Sequence, residues 1–224
     1  ATRTAIQLRF ENLDLVRQAQ AARAEAEEAN NAKSKFLAAA SHDLRQPIHA
    51  QGLFLGVLAR TSLDAKQLEM VNNISAASNA SADMLNTLLD FSRIDAGVVK
   101  PRKVTFRIQH LLNKIEREFE SQADFKSLGY RSRETDLLVH SDPALVELIL
   151  RNLVSNAIRY TERGALLVAC RKRGEFAMLE VWDTGIGIAA DQQTEIFKEF
   201  HQLGNPERDR QNGLGLGLSI VQGL

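Results

Sequence analysis

The chain has 224 residues, room for one large domain or two modest ones. Its Lys and Arg residues number 28, as do its Asp and Glu residues, so no overall charge bias selects nucleic acid or an anionic bilayer as the main partner. No apolar run approaches the roughly 20 residues that cross a bilayer, and the N-terminus lacks a signal-peptide core; the expectation is a soluble, cytoplasmic piece without direct membrane contact, which leaves a membrane anchor in a longer parent open.

The first third reads as helix. Leu8, Leu15, Ala22, Ala29 and Phe36 recur every seven residues, and Ala5, Ala19, Ala26 and Ala40 fill the complementary positions, a coiled-coil seam from Ala5 to Ala40 whose part over residues 1–35 is expected as a signalling helix. Asn12 and Lys33 interrupt it and its alanines make it narrow, so an isolated solvated helix is the alternative. The seam runs into Ser41-His42-Asp43-Leu44-Arg45-Gln46-Pro47. Pro47 has no N–H for the carbonyl of Asp43, so the helix is expected to bend or loosen beside His42. Thr61-Ser62-Leu63-Asp64 breaks the apolar pattern, and a second helix is expected from about Ala65 to Ile94, with Leu68, Val71, Ile74, Leu85, Leu88, Leu89 and Phe91 as its apolar stripe and Gly97 as its stop. Two such helices carry more apolar surface than they can cover on each other; a symmetric homodimer, pairing two hairpins into a four-helix bundle over residues 36–97, solves this.

Residues 98–103, with Pro101 and three basic side chains, read as a linker. From Val104 the pattern mixes helix and strand. Leu111 to Phe119 suits an amphipathic helix, Leu137 to Val139 a short strand, and Pro143 to Tyr160 a long helix opened by Asp142 as N-cap. Ala165 to Lys172 and Phe176 to Asp183 read as strands joined through Arg173-Gly174-Glu175. Cys170 lies in an apolar run and has no disulfide partner in the chain, which fits a buried, inert thiol in a reducing compartment. The fold class expected is α+β: the helical hairpin, then a two-layer α/β sandwich over residues 104–224 rather than a doubly wound sheet, because regular crossover helices are missing.

The chemistry-bearing groups come in chain order. A neutral imidazole such as that of His42 has a lone pair near pH 7 that can attack phosphorus, and Asp43 is the adjacent carboxylate. Asn152 and Asn156, four apart, share one helix face, and an amide oxygen suits Mg²⁺, which takes few protein ligands. Asp183-Thr184-Gly185-Ile186-Gly187 and Gly213-Leu214-Gly215-Leu216-Gly217-Leu218 place glycines where positive φ or close backbone approach is wanted. The second set opens an apolar helix whose amides suit a phosphate. It matches neither a P-loop, for want of Gly-Lys-Ser/Thr, nor a dinucleotide fold.

Together these segments resemble the sensor histidine kinases of two-component signalling over roughly residues 30–224, as their H box, N box and two glycine boxes. The resemblance implies an ATP-dependent kinase whose His42 is phosphorylated, with Asp43 orienting the ring or taking its proton, and whose phosphoryl group then passes to an aspartate of a response-regulator receiver domain. It makes Asn156 the Mg²⁺ ligand and Asn152 its support, puts Arg159 on the phosphates and Tyr160 near the adenine, and gives Asp183 the adenine amino group. Gly185, Gly187, Gly213, Leu214, Gly215, Leu216, Gly217 and Leu218 complete the ATP site. The polar segment from Gly204 to Asn212 suits a lid over ATP; Phe197 and Phe200 fit either the nucleotide segment or core positions. The other four histidines, His49, His110, His140 and His201, read as structural or surface groups, with assistance to His42 as the alternative for His49, seven residues on and on about the same face.

Gln46 stands where many relatives carry Thr or Asn, which leaves phosphatase activity open. The chain stops at Leu224, inside the helix after the last glycine box, so a fragment of a longer protein is expected. Two other classes stay in view: a non-kinase ATPase of the same nucleotide-binding superfamily, and a signalling scaffold without catalysis.

Overall fold

The computed structural model describes residues 2–202 and 214–224; for residues 2–15, 27, 30, 31, 33–42 and 45 of the first helix it describes the backbone alone. The chain divides into two compact units, residues 1–98 and 99–224.

The first unit is a helical hairpin. Helix α1 runs Thr2–Leu58 and continues through Pro47, and α2 spans Ala65–Asp95. The reversal between them is closed by a capping box: Asp64 Oδ1 accepts the Gln67 N–H at 2.8 Å, and Gln67 Oε1 accepts the Asp64 N–H at 3.0 Å, so two of the orphan donors of the helix start are satisfied. At the other end Gly97, with φ +65, sends its N–H to Ile94 O at 2.9 Å while Val98 N–H reaches Arg93 O at 3.3 Å, the paired bonds of a left-handed helix stop. Val71 and Leu89 of the expected stripe are buried between the helices, but Leu68, Ile74 and Leu88 remain exposed, as do Leu53, Val57 and Phe54 on α1, the last 75% so. One hairpin therefore leaves an apolar surface uncovered, and residues 16–26 of the expected seam are likewise exposed in the single chain.

The second unit is a sheet covered on one face by helices. Strand β1 (Val104–Arg107) pairs antiparallel with β3 (Leu138–Ser141) as a small ribbon, while β2 (Gly129–Ser132), β4 (Ala165–Arg173) and β5 (Phe176–Asp183) form a three-stranded sheet in the order β2-β4-β5. Helices α3 (Ile108–Phe125) and α4 (Pro143–Tyr160) supply the core facing that sheet. Ile115, Leu150, Val154, Leu166 and Val168 are essentially sealed from water, and Cys170 is buried with them, which pushes its thiol pKa up. A final helix, α5 (Gly217–Gly223), packs Ile220 inward.

Fold class agrees with the α+β expectation. Helix α4 spans the expected residues, and its start is set by Asp142, which caps it by accepting N–H bonds from Ala144 at 2.9 Å and Leu145 at 3.3 Å. Three details differ. Helix α3 is twice as long as its apolar core suggests, the strand expected at 137–139 starts one residue later and runs on to Ser141, and β1 and β2 lie where no strand is expected. Strand β2 pairs in parallel with β4, Tyr130 opposite Leu166; its four residues, Gly-Tyr-Arg-Ser, are too short and too polar to announce a strand. Among the described residues no helix is long and apolar enough to cross a membrane.

Candidate functional site

The two asparagines lie on α4 as expected, both half-buried. Asn152 donates to Leu148 O one turn back at 2.8 Å, and this fixes its amide so that Oδ1 lies against Gly217: a methyl group built on Gly217 would sit 2.8 Å from that oxygen. The N-terminal end of α5 is thereby seated on the middle of α4. Asn156, one turn further on, lies toward the helix end that carries Arg159 and Tyr160, both exposed.

That end meets the first glycine segment. Ile186 N–H donates to Tyr160 O at 3.3 Å, and a Cβ on Gly185 would fall 2.6 Å from the same carbonyl, so only glycine lets the loop pass. Asp183, the last residue of β5, is on the helix side of the sheet, opposite Leu166, and its Oδ1 accepts the Gly185 N–H at 2.8 Å. Gly187 takes φ +69 in open space. Gly215, also at φ +69, packs on the backbone of Phe200 and His201, where a Cβ would lie 2.8 Å from His201 O. Leu216 is completely buried, while Leu214 and Leu218 are half-buried. Phe197 is half-buried in a 3₁₀ turn and Phe200 is half-exposed, with φ +57, so neither is a core residue. Gly213 and the expected lid, residues 204–212, lie outside the described residues.

On α1, the backbone at residues 41–43 is helical and Asp43 is exposed; the His42 side chain lies outside the described residues.

Two groups escape the sequence reading. Thr184 Oγ1 accepts the Ala165 N–H at 3.1 Å and donates to Arg163 O at 3.2 Å, tying the start of β4 to the loop after β5. Gly164, at φ +119, makes room for it. The signal available was the glycine itself, four residues beyond Tyr160. Lys126, from the end of α3, reaches the C-terminal carbonyls of α4 and leaves no sequence signal.

The cradle suits a nucleotide: backbone approaches allowed only by glycine, a carboxylate at the loop base, and paired amides alongside. Among the described residues no cluster of three His, Cys, Asp or Glu could hold a metal by itself. An ion that keeps phosphate and water ligands and takes a single amide oxygen fits better.

Residues 141–224 match the family model described as "Histidine kinase-, DNA gyrase B-, and HSP90-like ATPase", and residues 32–97 match the "His Kinase A (phospho-acceptor) domain". An uncharacterized sensor-like histidine kinase of Rhizobium meliloti is 38% identical over 96% of this chain and 42% of its own length. The sensory/regulatory protein RpfC of Xanthomonas campestris is 34% identical over 89% of this chain and 29% of its own. Among solved structures, full-length ShkA in complex with AMPPNP superposes with a TM-score of 0.67 at 26% identity, covering 85% of this chain and 40% of that one. The chain thus spans less than half the length of these curated relatives. A phosphoacceptor helix pair followed by an ATPase domain, in this order, places the chain in the sensor histidine kinase family, as its catalytic core.

Proposed function

We propose that this core binds Mg·ATP in the 99–224 unit, transfers the γ-phosphoryl group to His42, and passes it on to an aspartate of a response-regulator receiver domain. The observation that carries the reading is convergence: Asn152 with Gly217, and Tyr160 with Gly185, bring the asparagine helix and both glycine segments into one cradle from three parts of the sequence. Asp183 accepts the adenine amino group, Tyr160 flanks the base, and Arg159 contacts the phosphates. Asn156 provides a ligand for Mg²⁺, which would offset phosphate charge, and Asn152 supports it. Gly185, Gly187, Gly213, Leu214, Gly215, Leu216, Gly217 and Leu218 line the rest. A lone pair of the His42 ring attacks the γ-phosphorus; the bond to the bridging oxygen breaks, ADP leaves, and a phosphohistidine forms, with Asp43 orienting the ring or taking its proton. Transfer needs the reacting atoms within about 3–3.5 Å of each other, and residues 98–103 are the linker that permits the approach.

A second copy of the chain covers the exposed Leu53, Phe54, Val57, Leu68, Ile74 and Leu88, giving the four-helix bundle of a homodimer. The cytoplasm, as the ATP-supplied and reducing compartment, is the place of action.

The test is incubation of the chain with ATP labelled in its γ-phosphate. Protein-bound label that is lost in acid and kept in alkali is the expected outcome. Free phosphate without protein-bound label would indicate a plain ATPase of the same superfamily, and neither product would indicate a scaffold.

A further inference from the structure

An α-helix leaves its last four carbonyls without intrahelical donors. In α4, whose last helical bond is closed by the C-cap Thr161, these belong to Ile158, Arg159, Tyr160 and Thr161, the end of the helix that faces the first glycine segment. Thr161 N–H donates to Ala157 O at 3.1 Å and Ile186 N–H to Tyr160 O at 3.3 Å. The two between are taken by one side chain: Lys126 Nζ donates to Ile158 O at 2.8 Å and to Arg159 O at 2.9 Å, and lies 3.5 Å from Thr161 O. Lys114 and Lys198 spend their ammonium groups on the carboxylates of Glu147 and Glu195; Lys126 directs its own to main-chain oxygens of a helix 32 residues away in sequence.

The root of that side chain is fixed. Helix α3 ends in a left-handed stop in which Ser127 N–H reaches Asp124 O at 2.8 Å, Leu128 N–H reaches Ala123 O at 2.9 Å, and Ser127 holds φ +56. Leu128 and Ala123 are buried beneath it. A cation at the C-terminal end of a helix also opposes the negative end of its dipole.

We propose that Lys126 is a positioning residue of the nucleotide site. Its ammonium holds the last turn of α4, with Arg159 and Tyr160, at a fixed height against the Asp183–Ile186 loop, so that the adenine and phosphate contacts are set before the nucleotide arrives. The inference rests on the assignment of that helix end and loop to ATP. Without Lys126 the Ile158 and Arg159 carbonyls turn toward water, the last turn frays, and the Tyr160 carbonyl that abuts Gly185 moves with it. The contacts disturbed are equal in ground and transition states, so the loss falls on KM and leaves kcat alone.

Lys126→Met keeps the stem and removes the donors; Lys126→Arg restores charge and donors. In the full chain the Met variant is expected to raise the KM for ATP roughly tenfold with kcat within about twofold, and the Arg variant to recover most of the loss. Hydrogen exchange of the nucleotide-free chain should show the Thr161 and Ile186 amides less protected in the Met variant, with core amides of β4 unchanged. Unaltered KM, a loss not recovered by Arg, or a general loss of protection in proportion to the KM change would overturn the proposal; should the Met variant not fold, Lys126→Gln is held to the same criteria. If the wild-type chain binds no ATP, the nucleotide reading fails, while the exchange comparison still decides whether Lys126 clamps the helix end.

Discussion

In the proposed nucleotide site Asp183 and Gly185 serve one ligand by different physics. An ionised carboxylate has about four lone-pair sites, so Asp183 can hold the Gly185 N–H and still accept an adenine amino group. Asp183→Asn keeps the shape but offers a donor where an acceptor is needed, and nucleotide affinity is expected to fall by about 1–3 kcal/mol. Asn156→Ala should instead erase the gain in affinity that Mg²⁺ brings and leave metal-free binding as it was. Titration of a fluorescent ATP analogue with and without Mg²⁺ separates the two; unchanged affinity in both variants would contradict the site. The glycines form a graded series. A Cβ on Gly185 strikes the Tyr160 backbone at 2.6 Å, whereas one on Gly217 strikes the Asn152 side chain at 2.8 Å, which can give way at the cost of its bond to Leu148 O. Gly185→Ala should abolish binding of the analogue, Gly217→Ala only weaken it, and the reverse order would show that these close approaches are not what shapes the cradle.

Helix ends decide which elements can be read in advance. Asp142-Pro143 announces α4 and Gly97 announces the stop of α2, because each residue type is suited to one backbone geometry. Helix α3 gives no such notice, since Ser127 takes the left-handed conformation that glycine usually fills, and β2 depends on a parallel pairing with β4 across more than thirty residues. The proposed site divides the same way: its asparagines and glycines are local motifs, while Lys126 and Thr184 bond to distant partners that no spacing reveals. Asp142 makes an element-scale prediction. The Arg102 N–H at 2.7 Å, with the Leu145 and Ala144 N–H groups, holds its carboxyl below the ordinary carboxylate range. Glu147, though burial pushes it up, is held low by Lys114 and Arg151. A depressed folded-state pKa contributes stability that is present above the unfolded value and lost as pH falls through the folded one. Melting temperature should therefore decline as pH drops below roughly 4.5. Asp142→Asn should melt lower at neutral pH and decline less steeply in acid; parallel curves for variant and wild type would remove Asp142 from the account.

At the scale of the molecule, one uninterrupted helix joins the heptad region to residues 41–43. A change of rotation upstream can therefore reach His42 without any flexible joint between. One residue inserted near Ala26 turns the downstream part of the helix by about 100° relative to the upstream part. A series of one to seven insertions should make autophosphorylation rise and fall with helical phase, with ATP binding constant throughout; equal activity across the series would reduce the upstream helix to a tether. The central claim concerns the acceptor, and His42→Gln tests it most directly, since it removes the nucleophile and leaves the ATP unit untouched. With γ-labelled ATP the wild-type chain should acquire acid-labile label and the variant none, while both bind the fluorescent analogue equally. Label that persists in the variant, or that survives acid in the wild type, would contradict the assignment of His42.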